Sequence, residues 1–80
     1  MANEKRMDMR KLVGQNVRRI RTEQGMTQEQ FAERSGFSQQ YISDLERGRR
    51  NPTVVSLHEL AQALHVLPFK LLQPPSAAEE

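Results

Sequence analysis

Helix start and stop signals divide this sequence at short intervals, and their spacing constrains the fold more than any other feature. Asp8 can cap a first helix over residues 9–24, and Gly25 can end it in a left-handed conformation. Thr27 and Gln30 then have the spacing of a capping box, in which each side chain accepts from the other's backbone N–H. The sequence therefore predicts a second helix that begins shortly after the first one ends.

The same signals continue along the chain. Gly36 ends the second helix, and Ser38 caps a third helix that Gly48 stops. A fourth helix opens at the Asn-Pro-Thr of residues 51–53, and a short fifth helix covers residues 68–72. Apolar residues recur at helical spacing and not in the alternation of a strand, so we predict an all-α fold of five short helices. The apolar positions expected to face the core are Leu12, Val13, Val17, Ile20, Ile42, Leu45, Val54, Leu57, Leu60, Ala61 and Leu64.

A chain of 80 residues has room for one small domain, which we place at residues 8–72, between a flexible N-terminus at residues 1–7 and a disordered tail at residues 73–80. The absence of cysteine excludes disulfides and thiolate metal sites, and it favours a reducing compartment. No apolar run approaches the ~20 residues of a membrane span, and the charged N-terminus lacks the apolar stretch of a secretory signal. We therefore expect a soluble, cytoplasmic protein.

The net charge of +2 is unevenly distributed along the chain. Residues 1–21 carry seven basic and two acidic side chains, residues 22–46 carry one and five, and residues 47–70 carry four and one. Two basic segments that flank an acidic one can form a single basic face after folding, which favours a polyanion as the partner. Ordinary solvated surface charge is the alternative that this pattern leaves open.

Helices two and three are joined by residues 35–38, the connection length of a helix-turn-helix. Helices that cross steeply over so short a turn need a close approach of their backbones. Ala32 leaves space where the third helix packs against the second, and Gly36 can take the positive φ of a tight turn. Ile42 and Leu45 then fill the space beneath. All four residues are therefore consistent with two helices that cross steeply over a tight turn.

Three segments, QEQFAERSG at 28–36, SQQYISDLERG at 38–48 and NPT at 51–53, resemble the lambda-repressor-like helix-turn-helix domain of the xenobiotic-response-element (Cro/repressor) type. The similarity covers residues 13–72 and is strongest to small stand-alone regulators such as restriction–modification controller proteins. It implies a compact five-helix domain and a sequence-specific, double-stranded-DNA-binding transcriptional regulator. Such a protein works without a cofactor, as a homodimer that reads a palindromic operator through the third helix in the major groove.

The resemblance also implies roles for individual residues. Two adjacent glutamines of the third helix carry amides whose donor and acceptor match N7 and N6 of adenine. For Asp44 two roles stay open: it either accepts a hydrogen bond from cytosine N4 or only repels phosphate. Arg21 and Glu46 match an ion pair that ties the first helix to the third. The residues expected at the bases are Gln39, Gln40, Ser43 and Asp44, and those expected at the DNA backbone are Thr27, Gln28, Ser38, Tyr41, Arg47, Arg49, Arg50 and Asn51.

One region departs from the family pattern. Many relatives have glycine and then a small capping residue between the fourth and fifth helices, where this chain has His65 and Leu67. A left-handed histidine is tolerated at some cost, and leucine cannot cap a helix, so we expect a last turn that is poorly formed or held by a partner. The apolar cluster around it either closes the monomer's own core or forms a symmetric dimer interface, and we favour the dimer. This cluster consists of Val66, Leu67, Phe69 and Leu72.

Other functions find less support in the sequence. An enzyme is not expected, because no nucleophile–base pair and no glycine-rich phosphate loop stand out. His58 and His65 lie seven residues apart without a third ligand nearby, so we expect no metal site. We also expect no membrane and no small-molecule partner. Two rival functions stay open: an antitoxin that also binds a toxin, and a protein-interaction module that keeps the fold without binding DNA.

Overall fold

The structure of the chain, a computed structural model, describes residues 8–74. This part of the chain contains four α-helices and a C-terminal 3₁₀ helix, and it has no strand. Our expectations for residues 1–7 and 75–80 concern segments outside the described residues. None of the four α-helices is long and apolar enough to cross a membrane. The elements are α1 (Met9–Glu23), α2 (Gln28–Ser35), α3 (Gln39–Glu46), α4 (Val54–Ala63) and the 3₁₀ helix (Pro68–Leu71).

Side-chain caps fix where each α-helix begins. The Asp8 carboxylate accepts from the backbone N–H groups of Arg10 and Lys11 at 3.2 and 3.3 Å. Thr27 and Gln30 form the complete capping box, because Thr27 Oγ1 and Gln30 Oε1 each accept from the other residue's N–H, at 3.0 and 2.9 Å. One such cap typically contributes about 1 kcal/mol. The predicted starts are confirmed, and the same device begins the other two helices, with Ser38 at α3 and Thr53 at α4.

One hydrophobic core joins all five elements, but one predicted member of it lies outside. Val54 was expected to face the core and is instead 82% exposed, so that expectation is wrong. Val54 is the first residue of α4, and this helix enters the core through Leu60, Ala61 and Leu64 near its other end, with Leu57 half-buried against them. The largest fully buried side chains are Val17, Phe31, Ile42, Leu45, Leu60, Leu64 and Leu71.

The backbones of α1 and α3 approach each other closely at Gly14. This glycine is buried within α1, and a Cβ atom added to it would overlap the carbonyl oxygen of Leu45 and lie 3.0 Å from that of Glu46. Any side chain here would therefore push the C-terminal end of α3 away from α1. The contact was not predicted from the sequence, because a glycine inside a helix gives no signal of which element approaches it.

The predicted fifth α-helix is wrong, since residues 68–71 form a 3₁₀ helix. His65 does adopt the expected left-handed conformation, with φ of 58°, where α4 ends. After it, Leu67 makes no side-chain cap hydrogen bond, although Pro68 is suited to the first position of a helix. A segment this short and without a cap cannot propagate an α-helix, whereas 3₁₀ geometry suits runs of about three or four residues.

Asn16 holds the 3₁₀ helix against α1. Its buried Nδ2 donates to the carbonyl oxygens of Leu71 and Gln73, both at 2.9 Å, and its Oδ1 accepts from Arg19 at 3.1 Å. A buried amide with all of these partners would be costly to replace, because each lost bond leaves a carbonyl or amide group unsatisfied. Gln73, which the sequence assigned to the disordered tail, is thus held through its backbone.

Replacement of Gly14 with alanine tests the close approach of α1 and α3. In an uncrowded helix the change from glycine to alanine stabilises by about 0.5–1 kcal/mol. At position 14 we expect the opposite, a loss of about 1–3 kcal/mol in the free energy of unfolding, because the methyl group has to displace α3. Chemical denaturation measures the change, and Gln15→Ala, at the exposed next position, is the control. A stabilised Gly14→Ala variant would contradict the close approach.

Candidate nucleic-acid interface

A tight turn joins α2 to α3 in a helix-turn-helix. Gly36 has a φ of 86°, and its N–H donates to the carbonyl oxygen of Ala32 at 2.9 Å, so the chain changes direction directly after α2. The positive φ predicted for Gly36 is therefore confirmed. Ala32, Ile42 and Leu45, the other residues on which that prediction rested, are all buried in the common core.

A buried ion pair fixes α3 relative to α1 and α2. The Arg21 guanidinium donates to Glu46 from Nε at 2.6 Å and from Nη2 at 3.0 Å. Its Nη1 donates to the carbonyl oxygen of Met26 at 2.6 Å, and the Gln28 amide donates to Glu46 Oε1 at 3.0 Å. The side chains of Arg21 and Glu46 are only 10% and 3% exposed. Removal of either one would leave a buried charge unpaired, at a cost of about 3–5 kcal/mol.

Three residues assigned to the DNA backbone already make structural hydrogen bonds. Gln28 begins α2, and its Nε2 donates to Glu46 rather than pointing freely to solvent. The hydroxyls of Thr27 and Ser38 accept backbone N–H groups as helix caps. A hydroxyl that accepts in this way keeps its own O–H as a donor, and the amide nitrogen keeps a second hydrogen. All three side chains therefore retain a donor for a phosphate oxygen.

All four residues assigned to base readout lie on α3. Gln39 and Gln40 are exposed at its N-terminal end, and Ser43 is half-buried one turn later. Gln40 Nε2 donates to Asp44 Oδ1 at 3.0 Å, while the other carboxylate oxygen, Oδ2, lies 3.5 Å from Arg50 Nη2. The structure thus joins two base-readout residues and one backbone residue in a polar network. The i, i+4 spacing of Gln40 and Asp44 is the sequence signal that could have indicated the first of these contacts.

Tyr41 lies half-buried beside this network. Its ring stacks on Phe37, with centroids 4.6 Å and planes 18° apart, and the Arg50 guanidinium lies 5.0 Å from the Tyr41 centroid. Burial raises the pKa of Tyr41 above the ordinary value of 10.0, although the Arg50 charge and the nearby Ser56 side chain act in the opposite direction. The phenol is therefore uncharged at neutral pH.

Arg18 adds a basic side chain to which the sequence gave no role. It is exposed on α1, and it lines a surface depression together with Gln28, Ser43 and Arg47. Its position three residues before Arg21 could have indicated this placement, because residues at i and i+3 share one face of a helix. The loop after α3 exposes the remaining assigned residues, Arg49, Arg50 and Asn51.

An apolar surface lies near the C-terminal end of the domain. Leu67, Phe69 and Leu72 are 62%, 49% and 40% exposed, and we call these three residues the C-terminal patch. Leu72 shares a surface depression with Met9 of α1, which is also exposed. Val66 instead lies half-buried against the core. Of the four residues assigned to a dimer interface, three therefore present large apolar area to solvent.

The two histidines considered as metal ligands, His58 and His65, are both exposed. Within residues 8–74 no three His, Cys, Asp or Glu side chains form a group suited to a metal ion. Polar side chains do converge around α3, where Gln40, Asp44 and Arg50 form one network and Arg21, Gln28 and Glu46 form another.

Titration of Tyr41 tests its contact with Arg50. The chain has one tyrosine and no tryptophan, so near-ultraviolet absorbance reports the Tyr41 phenolate alone. We expect a midpoint above pH 10.0 in the folded protein. The phenolate is less favourable in the folded state than in the unfolded state. The resulting contribution of Tyr41 to the free energy of unfolding is therefore fully present below the unfolded pKa of ~10 and is lost as the pH rises through the folded pKa.

Arg50→Ala removes a neighbouring positive charge and should raise the pKa of Tyr41 further, because the phenolate loses a favourable interaction. Arg34→Ala, at an exposed position of α2, removes the same charge elsewhere and is the control. An unchanged or lowered midpoint in Arg50→Ala would contradict the contact.

Known proteins share this arrangement of helices. A family model described as helix-turn-helix, HTH_3, matches residues 17–71. The uncharacterized HTH-type transcriptional regulator y4dJ of Sinorhizobium fredii is 66% identical over 68 residues, which make up 85% of this chain and 88% of that protein. The control protein C.SmaI of Serratia marcescens is 42% identical over 66 residues, covering 82% of this chain and 79% of that protein.

The similarity extends to solved structures. The restriction-modification controller protein C.Esp1396I, crystallised as a tetramer in complex with its natural 35 base-pair operator, matches with a TM-score of 0.73 and 37% identity, over 80% of this chain and 88% of that chain. The resemblance to controller proteins that the motifs indicated is confirmed. Because the family model spans the helix-turn-helix and most of the domain, the chain belongs to the HTH_3 family of helix-turn-helix transcriptional regulators.

Proposed function

We propose that the chain is a sequence-specific, double-stranded-DNA-binding transcriptional regulator that acts as a homodimer on a palindromic operator. One observation carries the proposal: two exposed glutamines begin α3 beside an arginine-rich loop, on a helix held by a buried ion pair. The operator complex of the similar protein C.Esp1396I supports the same use of the fold here. Recognition of this kind requires no catalysis, cofactor or small-molecule ligand, and we place it in the cytoplasm.

Gln39 and Gln40 would contact base edges, because they lie in the first turn of α3, the end of a recognition helix that enters the major groove. Each amide can donate to N7 and accept from N6 of adenine, and such a contact discriminates against a wrong base by about 1–3 kcal/mol. Ser43, one turn further along, can donate or accept at a neighbouring base. A neutral amide suits this role better than lysine, since a charged group is also attracted to every phosphate.

The surrounding side chains would hold the phosphate backbone. Arginines there attract any duplex irrespective of its sequence, so this part of the binding should weaken steeply as salt rises. Arg18 would join them, because it shares a surface depression with Arg47. The residues proposed for backbone contacts are Thr27, Gln28, Ser38, Tyr41, Arg47, Arg49, Arg50 and Asn51.

The C-terminal patch, with Val66 beside it, would form the homodimer interface. Leu67, Phe69 and Leu72 expose large apolar side chains on a domain whose own core is small, and a second copy could bury them. A two-fold dimer would place its α3 helices in successive major grooves about 34 Å apart. C.Esp1396I is a tetramer on its operator, which supports self-association of this chain.

Selection of bound duplexes from a random library, followed by sequencing, tests the proposed function. We expect an enriched palindrome with half-sites about one helical turn apart. Gln40→Ala should lose about 1–3 kcal/mol of preference at one position of each half-site, while affinity for random duplex changes little because no charge is removed. Gln62→Ala, an exposed glutamine of α4, is the matched control. An absence of enrichment, or equal losses on specific and random duplexes in Gln40→Ala, would contradict the proposal.

Substitution within the C-terminal patch tests the homodimer. Leu67→Glu would bury a charge at the proposed interface, so sedimentation should show a monomer at concentrations where the unchanged chain is a dimer. Affinity for the palindrome should then fall about tenfold or more, because two half-sites are no longer bound by linked subunits. Val54→Glu places the same charge on an 82% exposed valine outside the patch and is the control. Dimers that persist in Leu67→Glu would exclude this interface.

A further inference from the structure

Asp44 has no free carboxylate oxygen in the polar network of α3. Oδ1 accepts from Gln40 Nε2 at 3.0 Å, and Oδ2 lies 3.5 Å from Arg50 Nη2. The Asp44 backbone carbonyl accepts in addition from the N–H of Arg47 at 3.1 Å and of Arg49 at 2.9 Å. One residue in the middle of the reading helix thus contacts both the residue before it that would read a base and the loop after it that would hold phosphates.

The contact with Asp44 orients the Gln40 amide and leaves it able to form further hydrogen bonds. A glutamine amide has two N–H donors and an oxygen acceptor, and Asp44 takes one of the donors. The second N–H and Oε1 remain, which is the pair that adenine N7 and N6 require. Without Asp44 the exposed Gln40 side chain would rotate freely and could present either end of its amide to the groove. The ordering of a long side chain before binding lowers the entropy lost on binding.

The contact with Arg50 acts on the loop. The Arg50 side chain is 45% exposed and lies between the Asp44 carboxylate and the Tyr41 ring, at 3.5 Å from the first and 5.0 Å from the ring centroid. A guanidinium held in this way is partly neutralised in the free protein. A phosphate would have to compete with Asp44 for it, which weakens attraction to a duplex of any sequence.

We propose that Asp44 is a positioning residue for DNA recognition: it fixes the Gln40 amide for base readout and restrains Arg50 against non-specific phosphate contacts. This inference rests on the proposed function, in which α3 reads DNA. It differs from both roles left open by the sequence, because Asp44 acts through its two neighbours rather than by accepting from cytosine or by repelling phosphate directly.

Two substitutions separate the contacts. Asp44→Ala removes both. Asp44→Asn keeps a neutral oxygen that can accept from Gln40 but removes the charge that holds Arg50. We expect Asp44→Ala to discriminate about twofold to tenfold less well at the base pair that Gln40→Ala affects. The reason is that the Gln40 side chain, no longer held by Asp44, has to be ordered when DNA binds. Asp44→Asn should retain most of this discrimination, and Asp44→Ala should add little in a Gln40→Ala background.

Affinity for random duplex tests the second contact, between Asp44 and Arg50. Asp44→Asn should raise the affinity for random duplex, and this gain should be about twofold to fivefold larger when Arg50 is present than when it is replaced in Arg50→Ala. A difference of this size is the coupling expected of an exposed ion pair. Glu59→Gln removes an equal charge from an exposed site of α4 and controls for net charge. Thermal unfolding of each variant should stay close to that of the unchanged chain, so the binding changes will not reflect loss of fold.

Three results would overturn the inference while leaving the proposed function in place. A change at a different base pair, or one that persists in the Gln40→Ala background, would show that Asp44 reads a base itself. Equal gains on random duplex with and without Arg50 would show simple repulsion of phosphate. Unchanged discrimination and affinity in Asp44→Ala would show no role in recognition. If instead the unchanged chain enriches no sequence and shows no salt-sensitive binding, the proposed function fails and the inference with it.

Discussion

The geometry of the helix-turn-helix depends on the partners of the Arg21 guanidinium. Two of its nitrogens contact the Glu46 carboxylate, and the third contacts the carbonyl oxygen of Met26. The planar group therefore holds the end of α3 and the start of the segment leading into α2 at set distances from α1. A buried ion pair adds little net stability compared with apolar packing, but it strongly disfavours any packing that separates its charges. The main effect of Arg21 is thus to limit the three helices to one arrangement, and its contribution to the free energy of unfolding is secondary.

This arrangement leaves one side of α3 exposed. Ile42 and Leu45 are buried in the core and Glu46 contacts Arg21, whereas the amides of the first turn remain exposed. A helix of eight residues can do both because residues three or four apart share a face and the intervening ones point elsewhere. The arginines lie in the following loop, so in the proposed function affinity for phosphate and discrimination between bases would come from different groups. The polar network at Gln40 connects those two groups.

Local signals in the sequence were sufficient for most of the fold. The capping box at Thr27 and the left-handed glycine at Gly36 involve residues no more than four positions apart, and both were predicted. The fifth helix was not correctly predicted, because a proline suited to a helix start outweighed the missing cap at Leu67. The contacts of Gly14 and Asn16 join residues about 30 and 55 positions apart, and no local pattern encodes them. For the candidate site, the resemblance implied the ion pair of Arg21 and Glu46, whereas the contacts of Asp44 with Gln40 and Arg50 were not predicted.

The close approach at Gly14 also affects how such a domain can change its target. Main-chain atoms of α1 and α3 meet there, so the tilt of α3 is set by backbone packing. Gln39 and Gln40 lie outside that packing, on the exposed end of the helix. In the proposed function, replacement of these two residues would alter the chemical groups offered to a groove and leave the packing of the helix unchanged. Divergence to a new operator would then need only a few surface substitutions and no change in the interior.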